Sequence, residues 1–278
     1  MSQTPSSLPS PSVCTDTTIE VAKGQDVAVR MYGKKKPGST LPLVVHFHGG
    51  AFVSGDLDNG CTVAGLLEGA GARVVSVAYP LSPFPQPQET GYAVLKWVFK
   101  HRTRLAGQGA LVYLAGEEAG GNLAAGVGLM ARDQSHPPLA GQILLSPMLD
   151  PCVGTASVRA ATGESTVCKW AEGWLKLLGC ARDAEHPYAV PGAAQRLAGL
   201  APTLVLVGSD DPMRDEALAY AARLEAAGQQ VTRHIFNKAE QWPEALLQPG
   251  PRSCPCAPEV QEQFRRFFEA TRCPAPPL

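Results

Sequence analysis

Residues 116–121 read Gly-Glu-Glu-Ala-Gly-Gly. They follow the apolar run Leu111 to Ala115, which predicts a buried strand, and precede Asn122 to Arg132, which predicts a helix. A glycine-bracketed turn between strand and helix lifts its central side chain clear of the sheet, the arrangement that displays a nucleophile. Here that side chain is Glu118. A carboxylate so placed can act as a general base, as a nucleophile, or as an anion held by the turn itself. A second stretch, His48-Gly49-Gly50-Ala51-Phe52, follows the apolar run Leu43 to Phe47. Glycines after a strand leave backbone N–H groups open to an oxygen anion.

These groups need a sheet to position them. Val27, Val29 and Met31 alternate with polar residues, the pattern of an antiparallel edge strand. The runs 43–47, 74–78, 111–115, 143–145, 203–207 and 231–236 are continuously apolar or nearly so, as in a parallel sheet covered on both faces. Helical patterns lie between them at Glu89 to Arg104, Glu216 to Ala227 and Val260 to Thr271. The alternation predicts an α/β protein with one doubly wound, mostly parallel sheet. The less regular segment from about 150 to 200 contains Trp170 and Trp174 and suits a reduced helical lid over the C-terminal ends of the strands. Residues 1–17, rich in Ser, Pro and Thr, read as a disordered tail, leaving 18–278 as a single domain.

Composition removes several function classes. A net charge of −1 over 278 residues gives no basic field for nucleic acid. No apolar run approaches the roughly 18 residues of a membrane span, and the N-terminus has no export signal, so a cytoplasmic location is the expectation. The eight cysteines are scattered, which predicts reduced thiols. Cys254-Pro-Cys256 lacks a second pair at zinc-site spacing, so neither a metal nor another cofactor is expected.

From Pro42 onward the segments "HFHGGAFVSGDLD", "VVSVAYPLSP", "YLAGEEAGGNLAAGVGLMARD", "ILLSPMLD", "HPYAVP" and "SDDPMRDEALAYAARLEAAG" occur in order. Together they resemble the hormone-sensitive-lipase-like branch of the α/β-hydrolases, a family of carboxylesterases and lipases. The resemblance implies the α/β-hydrolase fold. It places Asp211 on the triad acid, Glu118 where the family has its serine, and Gln241 where it has its histidine. Glutamine has no titratable nitrogen, so Gln241 is no base. On this reading two of three triad positions are changed, and serine-esterase chemistry is not expected.

The same placement puts Glu118 beside the Ala119 N–H and the Gly49 and Gly50 amides, with the Gln241 amide between Glu118 and Asp211. Three functions follow. The first is a pocket that binds a small apolar or ester-like molecule without turnover. The second is altered chemistry, in which Glu118 serves as base or carboxylate nucleophile. The third is a scaffold with a vestigial pocket. Homo-oligomerisation is compatible with all three. An open pocket around Glu118 favours the first two, and a filled one the third.

Overall fold

The computed structural model describes residues 14–35, 37–161, 164–237 and 255–272, with the side chains of 164–168 left aside. Eight strands form one sheet: β1 (Cys14–Ala22), β2 (Gln25–Tyr32), β3 (Leu43–Phe47), β4 (Arg73–Val77), β5 (Val112–Glu117), β6 (Gly141–Leu145), β7 (Thr203–Gly208) and β8 (Val231–Phe236). Their order is β1-β2-β4-β3-β5-β6-β7-β8. The first two strands are antiparallel to their neighbours, and every pair from β4 to β8 is parallel.

The strand β1 begins at Cys14, inside the stretch read as tail. Its sequence, CTDTTIEVA, has little apolar content, but it is rich in β-branched residues and turns back on β2 at Gly24, whose φ is +73°. The N-terminal segment therefore extends the sheet from Cys14, and β2 lies inside the sheet instead of at its edge.

Eight helices are described: α1 (Cys61–Gly69), α2 (Gln86–Lys100), α3 (Arg102–Ala106), α4 (Ala119–Asp133), α5 (Ala156–Ala160), α6 (Glu164–Leu177), α7 (Arg214–Ala226) and α8 (Ala257–Thr271). Period-two alternation decides which face each strand residue covers. Leu43, Val45 and Phe47 of β3 and Val112 and Leu114 of β5 join the core shared with α2 and α4. Val44, Tyr113 and Ala115 face the opposite core, closed by Val63 and Leu67 of α1 and Val260, Phe264, Phe267 and Phe268 of α8. Both faces are apolar because both are covered. The short α1 carries too little apolar contrast to stand out in the sequence, and its packing against α8 is what fixes it. The segment 150–200 forms α5 and α6 and two short 3-10 turns.

Two glycines set the distance between the elbow and the end of β3. A Cβ on Gly120 would lie 2.0 Å from the Phe47 carbonyl oxygen, and one on Gly116 would lie 2.1 Å from the Gly120 carbonyl oxygen. The start of α4 thus presses directly on the backbone leading into His48-Gly49-Gly50. Gly120→Ala is expected to force these elements apart and to cost about 3 kcal/mol in a urea titration. An unchanged midpoint would mean that the close approach is not a constraint.

Candidate functional site

Glu118 sits between β5 and α4 with φ 54° and ψ −114°. Positive φ is strained for a residue with a Cβ and costs about 1–3 kcal/mol. The surroundings hold it there: its N–H donates to the Leu145 carbonyl at 3.0 Å, and its own carbonyl accepts from Met148 N–H at 3.0 Å and Asn122 N–H at 3.2 Å. The side chain is 1% exposed.

A carboxylate out of water needs donors, and this one has four. Oε2 accepts from Gly50 N–H at 2.7 Å and from Ala51 N–H at 3.0 Å. Oε1 accepts from the Trp170 indole N–H at 2.7 Å and from Lys169 Nζ at 3.4 Å. The two amides converge because Gly50, Ala51 and Phe52 all have positive φ, curling the backbone after β3 into an anion-binding concavity. The carboxylate fills that concavity. The donors differ from those expected. Gly50 is one of them, but Gly49 N–H donates instead to Glu117 Oε1 at 3.2 Å, and Ala51 takes its place. No bond from Ala119 N–H to the carboxylate occurs among the described residues, where the side chain reaches forward to the β3 loop rather than back over its own helix.

Glu117 anchors the turn from below. Its Oε2 lies 2.7 Å from His46 Nε2, and His46 Nδ1 is 3.0 Å from Ser76 Oγ, all three side chains being buried. His48 donates from Nδ1 to the Gly49 carbonyl at 2.8 Å and stacks on Tyr79 with ring centroids 4.3 Å apart. Burial pulls the His48 pKa down, against the Gly49 bond, so its neutral form braces the loop. The Tyr79 hydroxyl donates to the His48 carbonyl at 2.7 Å. Burial first, then the charges of Glu117 and Glu118, push that phenol well above its usual range.

Asp211 is buried. Its Oδ2 accepts from the Ser146 hydroxyl and its Oδ1 from Met213 N–H at 2.8 Å. Gln241 lies outside the described residues. The expectation of reduced thiols fails at Cys256, which is disulfide-bonded, whereas Cys14, Cys61, Cys152 and Cys180 are free. No cluster of three metal-ligating side chains occurs among the described residues.

Sequence reasoning missed Ala51, Lys169 and Trp170. The signal for the last two was the amphipathic run around Trp170 and Trp174, which marks a packed helix without saying what each side chain meets.

A sequence model described as the alpha/beta hydrolase fold matches residues 44–240. The chain belongs to the α/β-hydrolase fold family. Its relatives place it in the hormone-sensitive-lipase-like branch. Esterase LipI of Mycobacterium tuberculosis (strain ATCC 25618 / H37Rv) is 34% identical over 205 residues, 69% of this chain and 62% of that protein. Carboxylesterase NlhH of the same strain is 32% identical over 212 residues, 73% of this chain and 66% of that protein. Gibberellin receptor GID1C of Arabidopsis thaliana is 34% identical over 218 residues, 73% of this chain and 62% of that protein. The chain thus spans 62 to 66% of the length of these curated relatives. Among solved structures, the thermostable esterase from Pseudomonas putida ECU1011 superimposes with a TM-score of 0.80 at 30% identity, covering 95% of this chain and 85% of that one.

In this hydrolase-fold chain, Glu118→Gln preserves shape and removes the charge. An amide oxygen can satisfy one pair of donors, but its NH₂ must then face the other pair. The loss expected is about 1–3 kcal/mol, read from urea unfolding. Stability equal to that of wild type would refute the four-donor arrangement.

Proposed function

We propose that this chain is not a serine esterase and that it works by binding, with Glu118 as a built-in occupant of the oxyanion hole. The observation that carries the reading is the satisfied carboxylate, with Gly50 and Ala51 on one oxygen and Trp170 and Lys169 on the other. A general base or nucleophile must turn a lone pair towards substrate. Here both oxygens are engaged and the group is covered, so the geometry favours the occupant over the reagent; the same filled surroundings also fit a scaffold with a vestigial pocket, and binding at this site requires α6 to move aside. With Gln241 at the family's histidine position, no Ser–His pair is available in the sequence.

The ligand class comes from the relatives, among them proteins named esterase and carboxylesterase, and is a small ester or acyl compound. The gibberellin receptors among the relatives are named for binding, which supports the reassignment of a hydrolase fold to recognition. Because Trp170 and Lys169 cover the carboxylate, a ligand reaches Glu118 when α6 swings away. A small uncharged ester suits that opening better than an anion, which Glu118 and Asp211 would repel.

The test uses p-nitrophenyl acetate and butyrate together with a fluorophosphonate label. Nitrophenolate release is expected at the buffer rate and no serine is expected to be labelled, while the butyrate ester changes tryptophan fluorescence saturably. Turnover with a labelled serine would overturn the proposal. Turnover without labelling that is lost in Glu118→Gln would instead establish carboxylate chemistry.

A further inference from the structure

Residues 33–42 and 92–110 carry seven of the chain's 24 Lys and Arg and none of its 25 Asp and Glu. The fold brings the two stretches together. The first leads into β3, and the second holds the C-terminal part of α2, all of α3 and the loop into β5. Lys35 Nζ donates to the Thr103 carbonyl at 3.3 Å, Thr40 Oγ1 to the Gln108 carbonyl at 3.1 Å, and Leu41 N–H to the Ala106 carbonyl at 2.9 Å. A Cβ on Gly107, whose φ is +119°, would lie 2.5 Å from the Ser39 carbonyl oxygen. We propose that this basic face docks the protein on an anionic phospholipid surface.

Lys34, Lys35, Lys96, Lys100 and Arg104 are exposed and Arg102 is half-buried, while Lys36 lies outside the described residues. None of these six forms an ion pair among the described residues. Cations elsewhere do: Arg30 is 2.6 Å from Asp58, and Arg266 is 2.9 Å from Glu262. Glu68 of α1 borders the loop at Gly33 and offsets part of the charge. Like charges gathered without counter-charges repel, and an anionic partner relieves them. The whole chain carries −1, so positive charge is segregated onto this face rather than spread over the molecule.

The second observation is a layer of aromatic rings beneath the cations. Lys96 Nζ lies 4.8 Å from the Tyr92 ring centroid, Arg102 Cζ 4.0 Å from that of Phe99, and Arg104 Cζ 5.7 Å from that of Trp97. All three rings are half-buried. Half-buried rings under Lys and Arg suit the headgroup level of a bilayer, where Trp and Tyr gather. The same stacking disfavours nucleic acid, because the ring faces on which bases would stack are taken by cations. A bilayer also meets one face of the protein only, which leaves the acidic remainder turned away from it. The patch lies at the N-terminal ends of β3 and β5, whereas Glu118 follows the C-terminal end of β5. A docked molecule therefore keeps its elbow towards solution, where a water-borne ligand reaches it.

The experiment is co-sedimentation of the full chain with vesicles of phosphatidylcholine alone, or with about 30 mol% phosphatidylserine, in about 0.1 M KCl. Binding is expected to the anionic vesicles only, and to weaken at least about tenfold in about 0.5 M KCl. Each cation close to an anionic surface contributes about fivefold in affinity. Lys34→Gln, Lys100→Gln and Arg104→Gln combined should therefore weaken binding about a hundredfold, with the melting temperature unchanged. Lys23→Gln, Arg265→Gln and Arg266→Gln combined make the same change in net charge away from the patch, and this variant should bind as wild type does. No binding to anionic vesicles, equal binding to phosphatidylcholine alone, or equal weakening by the two triple variants would each overturn the proposal. A labelled single-stranded RNA of about 20 nucleotides is expected not to bind at the same salt. RNA binding that is lost in the patch variant, without vesicle binding, would assign the face to nucleic acid and overturn the proposal as well.

Discussion

The structure around the elbow depends on one constraint: a carboxylate taken out of water must be answered by donors from elsewhere in the chain. Glu118 projects from a strained turn on β5, and the groups that answer it come from the loop after β3 and from α6. Each is distant in sequence. The carboxylate therefore joins three parts of the fold that no local interaction would bring together. Removing a donor leaves an under-satisfied buried charge, and removing the charge leaves orphaned donors. The strain at positive φ persists because this network over-determines the turn.

The helix α6 is built for that contact. Lys169, Trp170, Gly173 and Lys176 lie three to four residues apart or adjacent, so they share one side of α6. Trp170 and Lys169 reach Glu118, and Lys176 Nζ lies 3.5 Å from the Val53 carbonyl. Gly173 is the point of closest approach, since a Cβ there would stand 1.8 Å from the Ala51 carbonyl oxygen. The same residue, Ala51, gives its N–H to the carboxylate and its carbonyl side to the helix. The helix α6 and the loop after β3 are thus in direct van der Waals contact, and α6 cannot move without uncovering Glu118.

Much of this architecture was legible in the sequence, for identifiable reasons. The runs at 43–47 and 203–207 appear as strands because their apolar character is continuous and both faces of the sheet are covered, whereas 231–236 is an edge strand with Thr232, Arg233 and Ile235 exposed. The elbow was legible because glycines at 116, 120 and 121 have no other common cause. By contrast, β1 was hidden by its polar, threonine-rich surface, and α1 by its weak apolar contrast. At the site, Gly50 and Glu118 meet as anticipated. The replacement of Gly49 by Ala51 follows from a one-residue difference in backbone curl, set by three successive positive φ angles that no propensity encodes. Trp170 was visible as an apolar helix residue. That its indole N–H is spent on Glu118 depends on how α6 docks, a tertiary fact.

Side-chain length and charge together explain why glutamate fits this position. Aspartate would draw the carboxylate back by about 1.5 Å, one carbon–carbon bond, and stretch the 2.7 Å contact to Gly50 beyond hydrogen-bonding range. Glutamine has the reach but offers an NH₂ to donors on one side or the other. Serine is shorter still and would leave the Trp170 N–H and Lys169 without the anion they now meet. The loop, the turn and α6 are thus each adapted to an anion of glutamate length. That interdependence implies that Glu118, Trp170 and Gly173 act as one unit, so that the effects of substituting any two of them will not add.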